Sequence, residues 1–432
     1  MRDRPALLGG TPIRAGKKWP SWPQWDDAER LGLEHVLESG DWTSLRGRET
    51  SSFATEFAAF QGCSHGLALT NGSHAIEAAL TAAGIGEGDE VIVPAITFVA
   101  TASAVLAVNA RPVIVDVEPD SLCIDPESAA AAVGPHTRAI VPVHIAGRAC
   151  DMDALTELCA RRHLHLVEDC AHAPGTRWRG RGVGSFGSFG TFSFESSKLI
   201  TAGEGGALLT EDRELYEKAW SYINCGRVID RELYHHASIG FNLRLTEWQA
   251  TILRAQLSRF PEQRRHRAER AAQLDDAFVS MAGVRAQSED PRMDARAHYA
   301  YVLHYDETEF AGLPTAAFTA ALEAEGILLG RPYPRISKLA LFERADFAPR
   351  LRKMAPDIDY ATLHLPGAEQ VEANTVWLHH PTLLGDETDV ADIIEAIERI
   401  RANAPALRRW SRGARHFALR AAGRLRRARA GA

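Results

Sequence analysis

Between Gly66 and Asp169 short apolar runs alternate with helical stretches, and that alternation leaves few folds open. Gly66–Thr70 reads as a strand, and an Ala-rich helix follows it through Ala83. Val91–Pro94 is a buried strand, followed by Thr97-Phe98 and an apolar helix to Val108. Val113–Val117, Ala139–His144 and His165–Asp169 are further strands, and residues 151–162 form a helix. Short apolar strands separated by helices dictate a mainly parallel sheet covered on both faces. Ligands of such sheets lie beyond the carboxyl ends of the strands. Phe98, Asp169 and Ser193–Lys198 all follow strand ends, so they can meet in one crevice.

The rest of the chain surrounds this unit. Residues 1–50 read as an N-terminal arm and loop, with Trp19, Trp22 and Trp25 crowded among prolines and Asp26-Asp27 capping a helix to about Ser39. Ser52–Phe60 and Arg213–Tyr222 are helical, and so is the stretch from Glu247 to about Phe278, with a break or kink expected at Pro261. The sheet unit is therefore expected over 51–285. From about residue 290 the βαβ regularity stops. His298–Tyr305, Ile327–Leu329 and Val376–Pro381 read as strands, and Thr315–Glu325 and 387–402 as helices, which suggests a smaller α+β domain over 286–405. Residues 406–432 carry nine arginines and no acidic residue. A solvated tail is favoured there over contact with a membrane surface or another polyanion.

Composition closes several function classes. The net charge of −7 gives no ground for general nucleic-acid binding. The six cysteines have no CxxC or metal spacing and read as reduced, mostly buried thiols of a cytoplasmic protein. No signal peptide and no membrane-spanning run is read. His235-His236 invites a metal, but adjacent histidines point different ways and no third ligand has the right spacing, so none is expected.

Chemistry concentrates in residues 186–206. Phe186, Phe189, Phe192 and Phe194 make an apolar, strand-like run, and Lys198 sits between it and the turn-rich Thr201–Gly206. An amine against apolar walls loses its proton more readily and can form a Schiff base with a carbonyl; the plainer reading is a surface lysine at a strand end. Asp169, after an apolar strand, is poorly solvated unless paired; it could meet a protonated ring nitrogen, a basic side chain or a helix end. Phe98 can stack on a flat ring or belong to the core. His172 can bond a ring substituent or cap a helix. Asn71-Gly72-Ser73-His74, between a strand and a helix, is a ready phosphate turn, or Ser73 simply caps the helix. Asn242 and Arg244 precede a helix and can donate to an anion.

Together, a lysine, an Asp after a strand, a stacking aromatic and a small-residue turn match what pyridoxal phosphate requires. The chain resembles the sugar and cyclitol aminotransferases of the DegT/DnrJ/StrS family. The resemblance runs from Trp19 to about Arg401 and rests on Gly86–Pro94, Asp116-Val-Glu-Pro with Cys123-Ile-Asp-Pro126, Pro142–Gly147, Glu168-Asp-Cys-Ala-His172, Phe192–Gly206 and Gly240–Glu247. It departs from many relatives at Tyr333-Pro-Arg-Ile-Ser337, and the Arg-rich tail lies outside the pattern.

The resemblance implies a fold-type I pyridoxal-phosphate enzyme, a homodimer with shared active sites. It implies that Lys198 bonds the cofactor and moves the proton, Asp169 pairs with the pyridine nitrogen, Phe98 stacks on the ring and His172 lies near its phenolic oxygen. Gly72, Ser73 and Ser193 would hold the phosphate, with Asn242 reaching it from the other subunit. Arg244, Tyr333 and His379 are the expected substrate contacts. The expected reaction moves an amino group from L-glutamine, or else L-glutamate, to a keto-cyclitol or keto-sugar of antibiotic biosynthesis. A 3-amino-5-hydroxybenzoate-type synthase and a non-catalytic regulatory homologue are the alternatives.

Overall fold

In the computed structural model, residues 4–343 and 359–413 are described. The arm leads into α1 (Asp27–Ser39), started by a capping box in which Asp26 accepts from Ala28 and Glu29 accepts from Asp26 N, and ended at Gly40 in the left-handed region, φ 69°. α2 (Glu49–Gln61) packs Phe53 and Phe57, both fully buried, against the aromatic run.

Seven strands form the main sheet: β1 (His65–Leu69), β2 (Glu90–Pro94), β3 (Arg111–Val115), β4 (Thr137–Ile140), β5 (His165–Asp169), β6 (Phe189–Ser193) and β7 (Gly206–Thr210). Their order is β1-β7-β6-β5-β4-β2-β3. β7 pairs antiparallel with both β1 and β6, and the remaining pairs are parallel. α3 (Gly72–Ala82), α4 (Ala100–Ala107), α5 (Pro126–Ala131), α6 (Met152–Arg162) and α7 (Arg213–Ile223) accompany the sheet. Six of the strands thus deliver their carboxyl ends to one edge. β4 stops short of the expected His144, but Val143 still pairs with Asp169 through a single parallel bridge. Asn71, not Ser73, caps α3, its Oδ1 accepting from His74 N at 2.9 Å.

α8 (Glu247–Val279) continues through Pro261 as one helix of 33 residues, so the chain does not break there. A proline costs one backbone hydrogen bond; here Phe260 and Leu257 are buried in the core on its near side and Leu274 and Phe278 on its far side, so packing carries the helix across. A second core gathers around β8 (Val284–Ala286), β9 (Ala300–Tyr305) and β10 (Thr375–His379), an antiparallel sheet backed by α9 (Thr315–Ala324) and α11 (Glu387–Ala402), while α10 (Pro366–Asn374) packs on the first core. Ile327–Leu329, expected as a strand, contributes one bridge from Leu329 to Leu378. Arg335 is tied to the main unit by a bridge to Ile96 and by ion pairs to Glu369 and Glu372.

The basic segment begins as α12 (Ala404–Gly413), which buries Ala404 and Leu407 and lets Arg408 donate to the Ala311 carbonyl at 3.0 Å. The arginines from 415 onward lie outside the described residues. All six thiols are free and five are buried. Among the described residues no helix is long and apolar enough to cross a membrane.

Candidate active site

A cavity of about 610 Å³ opens where β1, β2, β5 and β6 end. Lys198 enters it from a tight turn that leaves β6, closed by Lys198 N donating to Glu195 O at 2.9 Å. The Glu195 carboxylate braces the turn, accepting from Ser197 N at 2.9 Å, Ser197 Oγ at 2.6 Å and the Ser196 hydroxyl. Burial opposes charge on Glu195, but these donors and Lys198 outweigh it and hold its pKa below the usual range. Lys198 Nζ stands 4.8 Å from the ring centroid of Tyr299.

Asp169 faces the cavity from the end of β5 and is 6% exposed. Its Oδ1 accepts from Ala171 N at 3.1 Å and its Oδ2 from Thr101 Oγ1 at 2.8 Å. Thr97 stands 2.8 Å behind Thr101 and, because the Thr101 proton is committed to Asp169, Thr97 is the donor of that pair. Burial pushes the Asp169 pKa up, against the pull of these donors and of Lys198. A cationic N–H donor would relieve that cost.

Three rings stack beside the carboxylate. His172 lies 3.9 Å from Tyr299, nearly parallel, and 5.7 Å from Tyr333. The Ala146 amide donates to His172 Nδ1 at 3.4 Å, which places the proton on Nε2, 3.1 Å from Tyr333 Oη. Burial, and then the charge of Lys198, keep this imidazole neutral. Phe98 is 54% exposed and lines the cavity 6.0 Å from Tyr333, so its face is open to a flat ring.

The α3 terminus closes the other end. A Cβ on Gly72 would fall 2.7 Å from Ser193 Cβ and 3.3 Å from the Phe192 carbonyl, so only glycine lets the helix approach β6 this closely. The amides of Gly72 and Ser73 start the helix and have no intrahelical acceptor. Helix terminus, Ser73 and Ser193 make an anion cradle. A cradle for phosphate, a buried carboxylate short of a cation, an open aromatic face and a lysine in one cavity fit pyridoxal phosphate.

The cavity therefore brings together Gly72, Ser73, Phe98, Asp169, His172, Ser193, Lys198 and Tyr333. Three expected residues do not line it. His379 packs instead against His380, 4.7 Å between rings, because β10 ends there and the chain turns away. Arg244 points to Cys225 Sγ at 3.8 Å, and Asn242 is exposed and bridges to Asn224. Sequence reasoning missed Thr97, Thr101, Glu195, Ser197 and Tyr299. For the threonines there was a signal, two hydroxyls four residues apart where a mostly apolar helix begins.

A second cluster of ligand-type groups, His144, Glu168 and Cys170, lies under the site with its donor atoms within 4.8 Å of one another. Glu168 is already engaged there. Its oxygens accept from Gly184, Phe186 and Gly187 amides at 2.7, 2.7 and 2.9 Å, and Oε2 meets His144 Nε2 at 3.2 Å.

Residues 23–398 match the model of the DegT/DnrJ/EryC1/StrS aminotransferase family. The chain is 40% identical to a 3-amino-5-hydroxybenzoate synthase of Amycolatopsis mediterranei (strain S699), covering 90% of this chain and 99% of that one. It is 38% identical to an L-glutamine:2-deoxy-scyllo-inosose aminotransferase of Micromonospora echinospora, over 93% and 99%. A crystal structure of 3-amino-5-hydroxybenzoic acid synthase superposes with a TM-score of 0.81 at 39% identity, over 92% and 99%. With the site geometry, these matches make the chain a pyridoxal-phosphate-dependent enzyme of the DegT/DnrJ/EryC1/StrS aminotransferase family.

Proposed function

We propose that this enzyme transfers an amino group from L-glutamine, in preference to L-glutamate, to the ketone of a cyclitol in antibiotic biosynthesis. The observation that carries the reading is the remainder of the cavity wall. His74, Glu195, Ser197, Glu204, Tyr299 and Tyr333 offer hydroxyl, imidazole and carboxylate groups, partners for the many hydroxyls of such a ring. Relatives named for L-glutamine and an inosose match over more than nine-tenths of the chain, which supports the same reading.

In this reading Lys198 would hold the cofactor in the resting enzyme and, once the incoming amine displaces it, its free Nζ would move the substrate proton. Bound pyridoxal phosphate supplies the electron sink that makes that proton removable. Asp169, braced by Thr101 and the Ala171 amide, holds a positive charge at the ring nitrogen. Phe98 covers the ring. His172 Nε2 and Tyr333 Oη, already bonded to each other, orient groups at its edge. Gly72, Ser73 and Ser193 hold the phosphate.

A second copy of the chain completes the site. Tyr234 and Ile239 are each 85% exposed, and Phe241 is 52% exposed directly before Asn242. Burying such a patch against a partner would carry Asn242 and Arg244 to the other subunit's cavity. The free thiols fit a reducing, cytoplasmic setting.

The 40% identity to a 3-amino-5-hydroxybenzoate synthase supports a second reading, dehydration and aromatisation of an aminated ring. Incubation with L-glutamine and 2-deoxy-scyllo-inosose, followed by mass spectrometry, separates the two. Conversion of C=O to CH–NH₂ is the expected outcome. Loss of water from an already aminated ring ketone supplied in its place transfers the assignment to the second reading, and no glutamine consumption with the inosose together with no dehydration of the aminated ring removes both.

A further inference from the structure

The two peptide carbonyls immediately before Lys198 are held from outside the sheet unit, by residues at opposite ends of the chain. Trp22 Nε1, in the N-terminal arm, donates to Ser196 O at 3.1 Å. His380 Nε2, just after β10, meets Ser197 O at 3.1 Å. A carbonyl can only accept, so the His380 proton sits on Nε2, and its Nδ1 is buried without a partner among the described residues. The two clamp residues touch each other, ring edge to ring face, with centroids 4.7 Å apart and planes at 90°.

Arg267 of α8 underpins the pair. Its guanidinium carbon lies 5.4 Å from the Trp22 ring, and the side chain is fully buried with no hydrogen-bond partner on any of its three nitrogens among the described residues. A buried cation without an anion draws on aromatic faces, so Trp22 is held from below as well as from the side. The turn has no comparable freedom on its inner side, where Glu195 holds Ser197.

We propose that Trp22 and His380 are positioning residues for Lys198. They fix the peptide planes that aim its side chain and thereby couple the N-terminal arm and the second core to the placement of the reactive amine. The inference rests on Lys198 being the cofactor-bearing lysine. It assigns neither residue a contact with substrate or cofactor.

The test compares Trp22→Phe, which keeps the ring and deletes the donor, with His380→Asn, which deletes the Nε2 donor, and His380→Gln, which restores one at about the same reach. Trp19→Phe is the control. It removes another arm hydrogen bond, Trp19 Nε1 to Gly326 O at 2.9 Å, far from the turn. Three quantities are read on the cofactor-loaded proteins and on the cofactor-free proteins where applicable: the pH midpoint of the cofactor's visible absorbance, the single-turnover rate with L-glutamine against its half-saturating concentration, and the melting midpoint. Trp22→Phe and His380→Asn should each move the absorbance midpoint by about half a pH unit or more. Each should slow the single turnover by roughly tenfold, with half-saturating glutamine unchanged within about twofold. His380→Gln should recover most of both. Trp19→Phe should lower the melting midpoint alone. If Trp22→Phe and His380→Asn also change only the melting midpoint, the clamp is structural and the proposal falls. Should His380→Asn fail to fold, Trp22→Phe decides by the same criteria. Borohydride reduction of the wild-type protein checks the premise separately, because it labels residue 198 only if that lysine holds the cofactor.

Discussion

Glu168 and Asp169 are neighbours on β5, both acidic and both buried, yet they belong to different parts of the molecule. Successive strand residues face opposite sides of a sheet. Glu168 turns to the side of the 184–187 loop and meets three backbone amides and His144. Asp169 turns to the cavity and finds one amide and one threonine. A carboxylate offers about four acceptor sites. The first is fully engaged and staples a loop; the second keeps unused capacity in a place where burial makes that expensive. Local saturation thus marks structure, and a buried deficit marks the place where a ligand is meant to contribute.

The largest effect that tests this contrast is on turnover. Asp169→Asn should cut kcat by roughly a thousandfold or more, because a neutral amide cannot hold charge at the cofactor nitrogen. Glu168→Gln should leave the kcat of folded protein within about twofold. Equal losses from the two substitutions would erase the distinction.

Stability should show the opposite order. Glu168→Gln sets an NH₂ group against backbone N–H donors and should cost roughly 2–3 kcal/mol in chemical denaturation. Asp169→Asn should stabilise the cofactor-free protein by about 1 kcal/mol, as removal of an unrelieved functional group commonly does. A destabilised Asp169→Asn protein would mean that Thr101 and Ala171 already satisfy the carboxylate.

The smallest effect is in the pH dependence of that gap. The folded-state pKa of Asp169 is raised by burial, so the folded protein binds the extra proton. Its contribution is fully favourable below the ordinary carboxylate pKa and is lost as pH rises through the raised value. The difference between wild type and Asp169→Asn in cofactor-free denaturation curves should therefore close in acid and open toward neutrality. A gap that is constant with pH would refute the shift.

Much of this contrast was legible before any coordinates. The apolar run before Asp169, the aromatic run before Lys198 and the small turn at Gly72 are local patterns, and each falls at the end of a main-sheet strand. What stayed hidden depends on elements meeting in space. β7 begins at Gly206 inside a stretch whose glycines read only as turn, and its pairing with β1 and β6 makes it a strand. Tyr299 looks like any aromatic of an alternating strand until His172 stacks on it. Pro261 overrides nothing locally; it is outvoted by the packing on both sides of it. In the proposed dimer, Arg244 and Asn242 carry their meaning on another copy of the chain.

One long helix has a consequence for how the protein comes apart. α8 plants Leu253 and Phe260 in the first core and Leu274 and Phe278 in the second. Losing either core strips half of the helix of its burial, and a helix without tertiary support is marginal in water. The two halves of the polypeptide are thereby fused into a single melting unit, so proteolytic fragments divided near residue 265 would each inherit an orphaned, aggregation-prone stub rather than an autonomous module.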